Sequence, residues 1–180
     1  MTSPTMADDH TRRRWTPGRV VVVLLIMSMV AMWLYVLYLA FGPGRQAPPD
    51  RLSDPAFATA AQARCDAAHA IVGQLPTANQ APDPSAQAAI VDEANRAFAA
   101  MLDDLDAIVP TGEDGRLVRA WLADWRTYLG DRERYADALR TDPEARLLVT
   151  PKDRQQITEY LDAFAADNRM IACATPLDVG

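Results

Sequence analysis

Cys65 and His69 stand four residues apart in a stretch with helical apolar spacing, so they share one face. Two ligands of those types can open a metal site. The competing reading is a half-cystine beside a partly buried imidazole, and an even cysteine pair outside the cytoplasm favours it. Nucleophilic chemistry has little to draw on. After the apolar N-terminal run the serines are Ser53 and Ser85, both at helix starts, where capping is the usual role. His69 is the single histidine there, so a Ser-His-Asp hydrolase lacks a nucleophile on a sharp turn. There is no glycine-rich phosphate loop and no zinc spacing, so neither a cofactor nor a metal is expected.

Carboxylates are the remaining resource, since two acids suffice to cleave a glycoside. Asp103, Asp104 and Asp106 cluster, but on faces left over by the Met101 and Leu105 stripe, which reads as solvated. Glu93 and Glu159 are single acids on helices. The densest set of distinctive residues is Trp121, Asp124, Trp125, Tyr128, Asp131, Arg132 and Tyr135. Arg132 continues an apolar stripe, so its guanidinium needs a carboxylate or several carbonyls, with Asp162 and Asp103 as candidates. Asn168 extends another apolar stripe and should bond to nearby backbone. The structural reading of this cluster is a polar clasp inside a core. The functional one is a groove for a peptide or ligand, because aromatics and arginine dominate binding hot spots.

The elements that position these residues begin with an anchor. Val20 to Phe41 is 22 residues without a charge, and a helix of that length covers about 33 Å, enough for a hydrocarbon core of about 30 Å. Arg12, Arg13, Arg14 and Arg19 precede it, against Asp8 and Asp9, while Arg45 follows. Basic residues beside a span stay cytoplasmic. The expected organisation is therefore a cytoplasmic basic tail over 1–18, a transmembrane anchor over 19–41 contacting lipid through 20–41, a linker over 42–53, and an extracytoplasmic domain over 54–180. Trp33, Tyr35 and Tyr38 fall in the outer half of the span, where aromatic rings favour the headgroup boundary. A cleaved signal peptide has a shorter apolar region, and its best site here, Ala40-Phe41-Gly42, would put Pro43 just after the cut. The span has no GxxxG pattern and no ionisable group, so it reads as an uncleaved anchor with no transport role.

From Arg51 onward there are 21 acidic against 13 basic residues, a net charge of −8 that argues against nucleic acid and against a polybasic grip on lipid. Gly42 to Ser53 reads as a tether. Asp54-Pro55 opens a helix with the face Phe57, Ala61, Cys65, Ala68, Val72 and Leu75, stopped by Pro76. A second starts at Asp83-Pro84 with the stripe Val91, Ala94, Phe98, Met101, Leu105 and Ile108, ending at Pro110. Thr111 to Gly115 reads as the turn before a third helix over Arg116 to Arg140, which Gly130 kinks or packs closely. Leu147-Leu148-Val149 reads as an extended cover. Thr150 then caps a last helix with Pro151 at its first position and Ile157, Leu161 and Phe164 on its face. No internal repeat is present. The fold expected is all-α, a single transmembrane helix followed by an extracytoplasmic four-helix bundle, with a Cys65–Cys173 disulfide tying the first outer helix to the tail.

Three segments also carry a resemblance: Trp121-Leu122-x-Asp124-Trp125, Asp131-Arg132-x-x-Tyr135-Ala136, and Asn168-Arg169-Met170-x-x-Cys173-x-x-Pro176-x-Asp178-Val179. They resemble single-pass membrane proteins of actinobacteria, over the anchor and most of the outer domain. The resemblance implies a membrane location and a helical outer domain, and brings no catalytic residues. The expected function is a non-enzymatic, membrane-anchored domain that binds or scaffolds a cell-envelope protein. The alternative is a glycan-acting envelope enzyme using paired carboxylates. A sensor is disfavoured, since a cytoplasmic part of about 18 residues is well below the roughly 50 that a domain needs. Oligomeric state is left open.

Overall fold

The computed structural model describes residues 17–41 and 48–178. Arg12 to Arg14, Gly42 to Arg45, Val179 and Gly180 lie outside the described residues. The chain is mostly helical, with five α-helices among the described residues, and it divides after Ala47 into two compact units.

The first unit contains α1, Pro17–Phe41. It is the one described helix long and apolar enough to cross a membrane. Its side chains from Val20 to Ala40 are all exposed, an apolar surface that water does not tolerate on a single helix.

The second unit begins with a strap. The tether expected over 42–53 is corrected from Asp50 onward, because Leu52 is apolar and buries against the core. The Leu52 N–H donates to Asn168 Oδ1 at 2.8 Å, and Ser53 and Asp54 N–H donate to the Asp114 carboxylate at about 3.0 Å. Asp54 then caps α2, Pro55–Val72, accepting from the Ala56 N–H at 2.8 Å, with Pro55 in the first turn, where its missing N–H costs nothing. Phe57, Ala58, Ala61, Cys65 and Ala68 form its buried face. A short 3₁₀ turn at Ala78–Gln80 follows. Asp83 caps α3, Pro84–Asp106, in the same way, through the Ala86 N–H at 2.8 Å. The stripe expected on α3 is buried, except that the helix stops at Asp106 and leaves Ile108 half-buried in the following turn.

The next helix, α4, runs Gly112–Leu139 and starts four residues earlier than expected. Glu113 and Asp114 occupy its first turn, where carboxylates complement the helix dipole. Gly115 is required there, since a Cβ would meet the Pro110 carbonyl oxygen at 1.9 Å. The close packing expected at Gly130 is corrected. A Cβ there would meet only Arg134 Nη1 at 3.5 Å, and α4 runs through that position unbroken.

The helix expected from Thr150 is also corrected. Pro151–Lys152 (β1) and Gln155–Gln156 (β2) pair antiparallel, with Pro151 opposite Gln156 and Lys152 opposite Gln155. Asp153 and Arg154 turn the corner at φ 46° and 73°, the left-handed pair that a two-residue hairpin loop demands. Asp131 instead accepts from both the Thr150 N–H and its hydroxyl, which fixes the chain where it enters the hairpin. Helix α5 therefore begins only at Ile157 and ends at Asp167, 11 residues against 18, 23 and 28 for α2, α3 and α4. The hairpin thus makes α5 the short member of the four. Leu147 and Val149 do pack on the core, while Leu148 points to solvent.

Helices α3 and α4 pack along one another, α2 leans on α3, and α5 on α4. The main core lies between them around Phe98, Leu122, Trp125 and Leu161, and a smaller cluster gathers Val91, Tyr135 and Leu139. After α5, Arg169 at φ 59° reverses the chain into a 3₁₀ turn, Ile171–Cys173. There Cys173 is bonded to Cys65 of α2, with both cysteines fully buried.

Candidate functional site

Arg132 lies on the buried stripe of α4, one turn beyond Tyr128, with no exposed surface. A guanidinium carried into a core must bring its partners. Its Nε–H donates to Asn95 Oδ1 of α3 at 2.7 Å. Its two terminal nitrogens donate to the two oxygens of Asp178 at 2.7 and 2.8 Å, a bidentate fork. The guanidinium carbon sits 5.3 Å from the centre of the Phe98 ring and 5.9 Å from that of Tyr128, within cation–π range of both. Burial alone would lower the Arg132 pKa. The hydrogen bonds and charge of Asp178 override it, so the net direction is upward and the charge is kept. Burial pushes the Tyr128 phenol above its ordinary value, against the opposing pull of Arg132.

The partner of Arg132 is therefore Asp178, and the expected candidates are corrected. Asp103 is exposed on the far side of the α3 stripe. Asp162 is engaged one step away, accepting from the Thr175 N–H at 2.7 Å and from its hydroxyl at 3.2 Å, which steers the tail toward Arg132.

The other residues singled out in the sequence separate into distinct duties. Trp125 is buried, with rings of Phe98, Trp121 and Tyr128 around it. Its indole N–H has no partner among the described residues. Trp121 donates to the Leu161 carbonyl at 3.3 Å and stacks on Phe164, locking α4 to α5. Asp131, buried, accepts from the Thr150 N–H and hydroxyl, each at 2.7 Å, and pairs with Arg134. Asp124 holds Lys152 at 2.6 Å, and the same ammonium lies over the Tyr160 ring. These two acids fasten the hairpin. Tyr135 belongs to the smaller cluster, its hydroxyl accepting from Gln87 at 3.3 Å. Asn168 donates to the carbonyls of Asp50 and Phe164 at 3.1 and 2.9 Å while accepting from Leu52. It bonds to backbone as expected, and so ties the strap to the end of α5.

Sequence alone assigns no role to two members of the Arg132 site, Asn95 and Asp178, although Asp178 falls in the tail segment that carries the resemblance. Asn95 had a signal, because it falls four residues after Val91, on the buried arc of α3. Asp178 had none, since the tail carries no period. The expectation for Cys65 holds: it is in the disulfide and therefore no ligand, and His69 turns its ring edge toward Phe98 at 5.5 Å. Among the described residues no group of three or more His, Cys, Asp or Glu side chains is placed to hold a metal ion. Asp103, Asp104 and Asp106 are exposed, and Asp106 pairs with Arg126 at 3.2 Å.

The arrangement is a buried, bidentate ion pair: a fixed guanidinium, a neighbouring amide oxygen, two aromatic walls, and a carboxylate from the chain's own tail. No protein-family model, curated protein or solved structure matches the chain.

Proposed function

We propose that the protein is a non-enzymatic, membrane-anchored module. Helix α1 is its uncleaved anchor with the N-terminus cytoplasmic, and α2 to α5 act as an extracytoplasmic four-helix bundle that binds or scaffolds a protein of the cell envelope. Kinship with the actinobacterial single-pass proteins belongs to the same proposal. The observation that carries it is α1 itself. It is a helix of transmembrane length whose apolar side chains from Val20 to Ala40 are all exposed, and lipid is the solvent that such a surface requires. The buried Cys65–Cys173 bond adds support, because structural disulfides persist in oxidising compartments. The engaged acids add more. Asp131, Asp162 and Asp178 each hold a partner inside the fold, a use of carboxylates for assembly rather than for an open catalytic pair.

Crosslinking in native membranes tests the reading. A defined stoichiometric complex, with the anchor intact in the crosslinked species, is the expected result. Random capture, or a mature chain starting near residue 42, contradicts it.

A further inference from the structure

Arg132 and its occupant differ in how firmly they are held. The guanidinium has no exposed surface and rises from within α4, two turns before its end, so it stays where it is. The Asp178 side chain is 23% exposed and lies in an irregular stretch beyond the disulfide, where the chain has left helix and strand pairing. Asp178 is among the lining residues of two surface recesses. One, of about 470 Å³, runs past His69 and the tail. The other, of about 230 Å³, is lined by Val72, Leu75, Pro76, Ile90 and Val91 and is mostly apolar. The tail does not fill that recess with Leu177, which is almost wholly exposed. Asn95 Nδ2 is buried and has no partner among the described residues, a spare donor on the amide whose oxygen already holds Arg132.

We propose that Arg132 and Asn95 form a binding site for an external carboxylate that carries an apolar group beside it, and that Asp178 is an internal stand-in which this ligand displaces. The guanidinium is paired both before and after exchange, so neither end state strands a charge in the core. The ligand's apolar group enters the recess beside Val72 and Ile90, which the tail leaves open. The tethered Asp178 competes at an effective concentration of millimolar order, which weakens ligand binding to the resting chain. The inference rests on reading the domain as a binding module and names the chemistry that its site takes. The carboxylate has two sources, a small free acid or an acidic peptide end of a partner.

The full chain in detergent micelles, with the Arg132 Nε–Hε resonance as reporter, supplies the test. In Asp178→Ala, 4-methylpentanoate shifts that resonance saturably and binds at least about tenfold more tightly than to the wild type. Acetate binds more weakly, and 4-methylpentanamide, neutral and of the same shape, produces no shift. If Asp178→Ala does not fold, Asp178→Asn keeps the shape of the side chain and gives the same order of ligands. Acetyl-Leu-Asp-amide serves as the peptide arm. Binding tighter than 4-methylpentanoate assigns the site to a partner's peptide, and weaker binding assigns it to a free acid. No saturable shift with either probe, or an equal response to the amide, overturns the proposal. A carboxylate response with random crosslinking would keep the site and remove the scaffold. A defined crosslinked complex without the response would do the reverse.

Discussion

At the scale of single residues, the domain depends on a few charges placed where they cannot be removed singly. Asp178→Ala strands the Arg132 guanidinium, and breaking a buried pair from one side costs about 3–5 kcal/mol. The double variant Arg132→Met, Asp178→Ala replaces the pair by an apolar chain of similar length and should lose much less. Urea unfolding midpoints for the two variants, compared at unchanged slope, measure the difference. Asp114 makes a separate prediction. Backbone N–H bonds from Ser53 and Asp54 hold its carboxyl below the ordinary value of 3.8. A carboxylate with a depressed folded-state pKa stabilises fully above the unfolded value and loses that contribution as pH falls through the folded one. Stability should therefore fall below about pH 4, and Asp114→Asn should flatten that part of the profile while weakening the strap at neutral pH. Asn95 and Asn168 show how much of this was legible. Both fall on apolar arcs, so their burial was readable. Asp178 was not, since its position depends on a disulfide and on Asp162 gripping Thr175 across the fold.

At the scale of elements, local rules placed the helix starts at Asp54-Pro55 and Asp83-Pro84, because cap and proline act within one turn. The same rule failed at Thr150-Pro151. That motif is a valid helix start in isolation, but Asp131, 19 residues earlier, holds Thr150 through two bonds and the chain beyond it pairs as a hairpin with Asp153 and Arg154 left-handed. The early start of α4 has a similar origin, since Gly115 is used for close approach to Pro110 and not as a turn breaker. Gly115 and Gly130, both within α4, should therefore respond oppositely. Gly115→Ala forces a methyl against the Pro110 carbonyl and should destabilise by more than about 1 kcal/mol. Gly130→Ala has room beside Arg134 and should stabilise by about 0.5–1 kcal/mol through helix propensity alone. Thermal unfolding of the two variants in the same detergent checks the sign of each.

At the scale of the whole molecule, the division into an apolar helix and an acidic helical domain was written in composition, since a charge-free run and a net negative remainder are sums over many residues. The pairing of the cysteines was readable too, because two cysteines expected outside the cytoplasm leave one choice. How the tail closes on α2 and α4 was not, being set by contacts more than 100 residues apart, such as the 108-residue separation of the disulfide. The chain-entropy model gives a loop of that size about 4–5 kcal/mol of stabilisation, so the bond is central to both the fold and the compartment assigned to it. The direct measurement is alkylation of the protein in native membranes, trapped under denaturing conditions so that the buried Cys65 and Cys173 are reachable. The expected result is no labelling of either cysteine without reductant and labelling of both after reduction. Labelling of either before reduction would contradict the disulfide and, with it, the placement of this domain outside the cytoplasm.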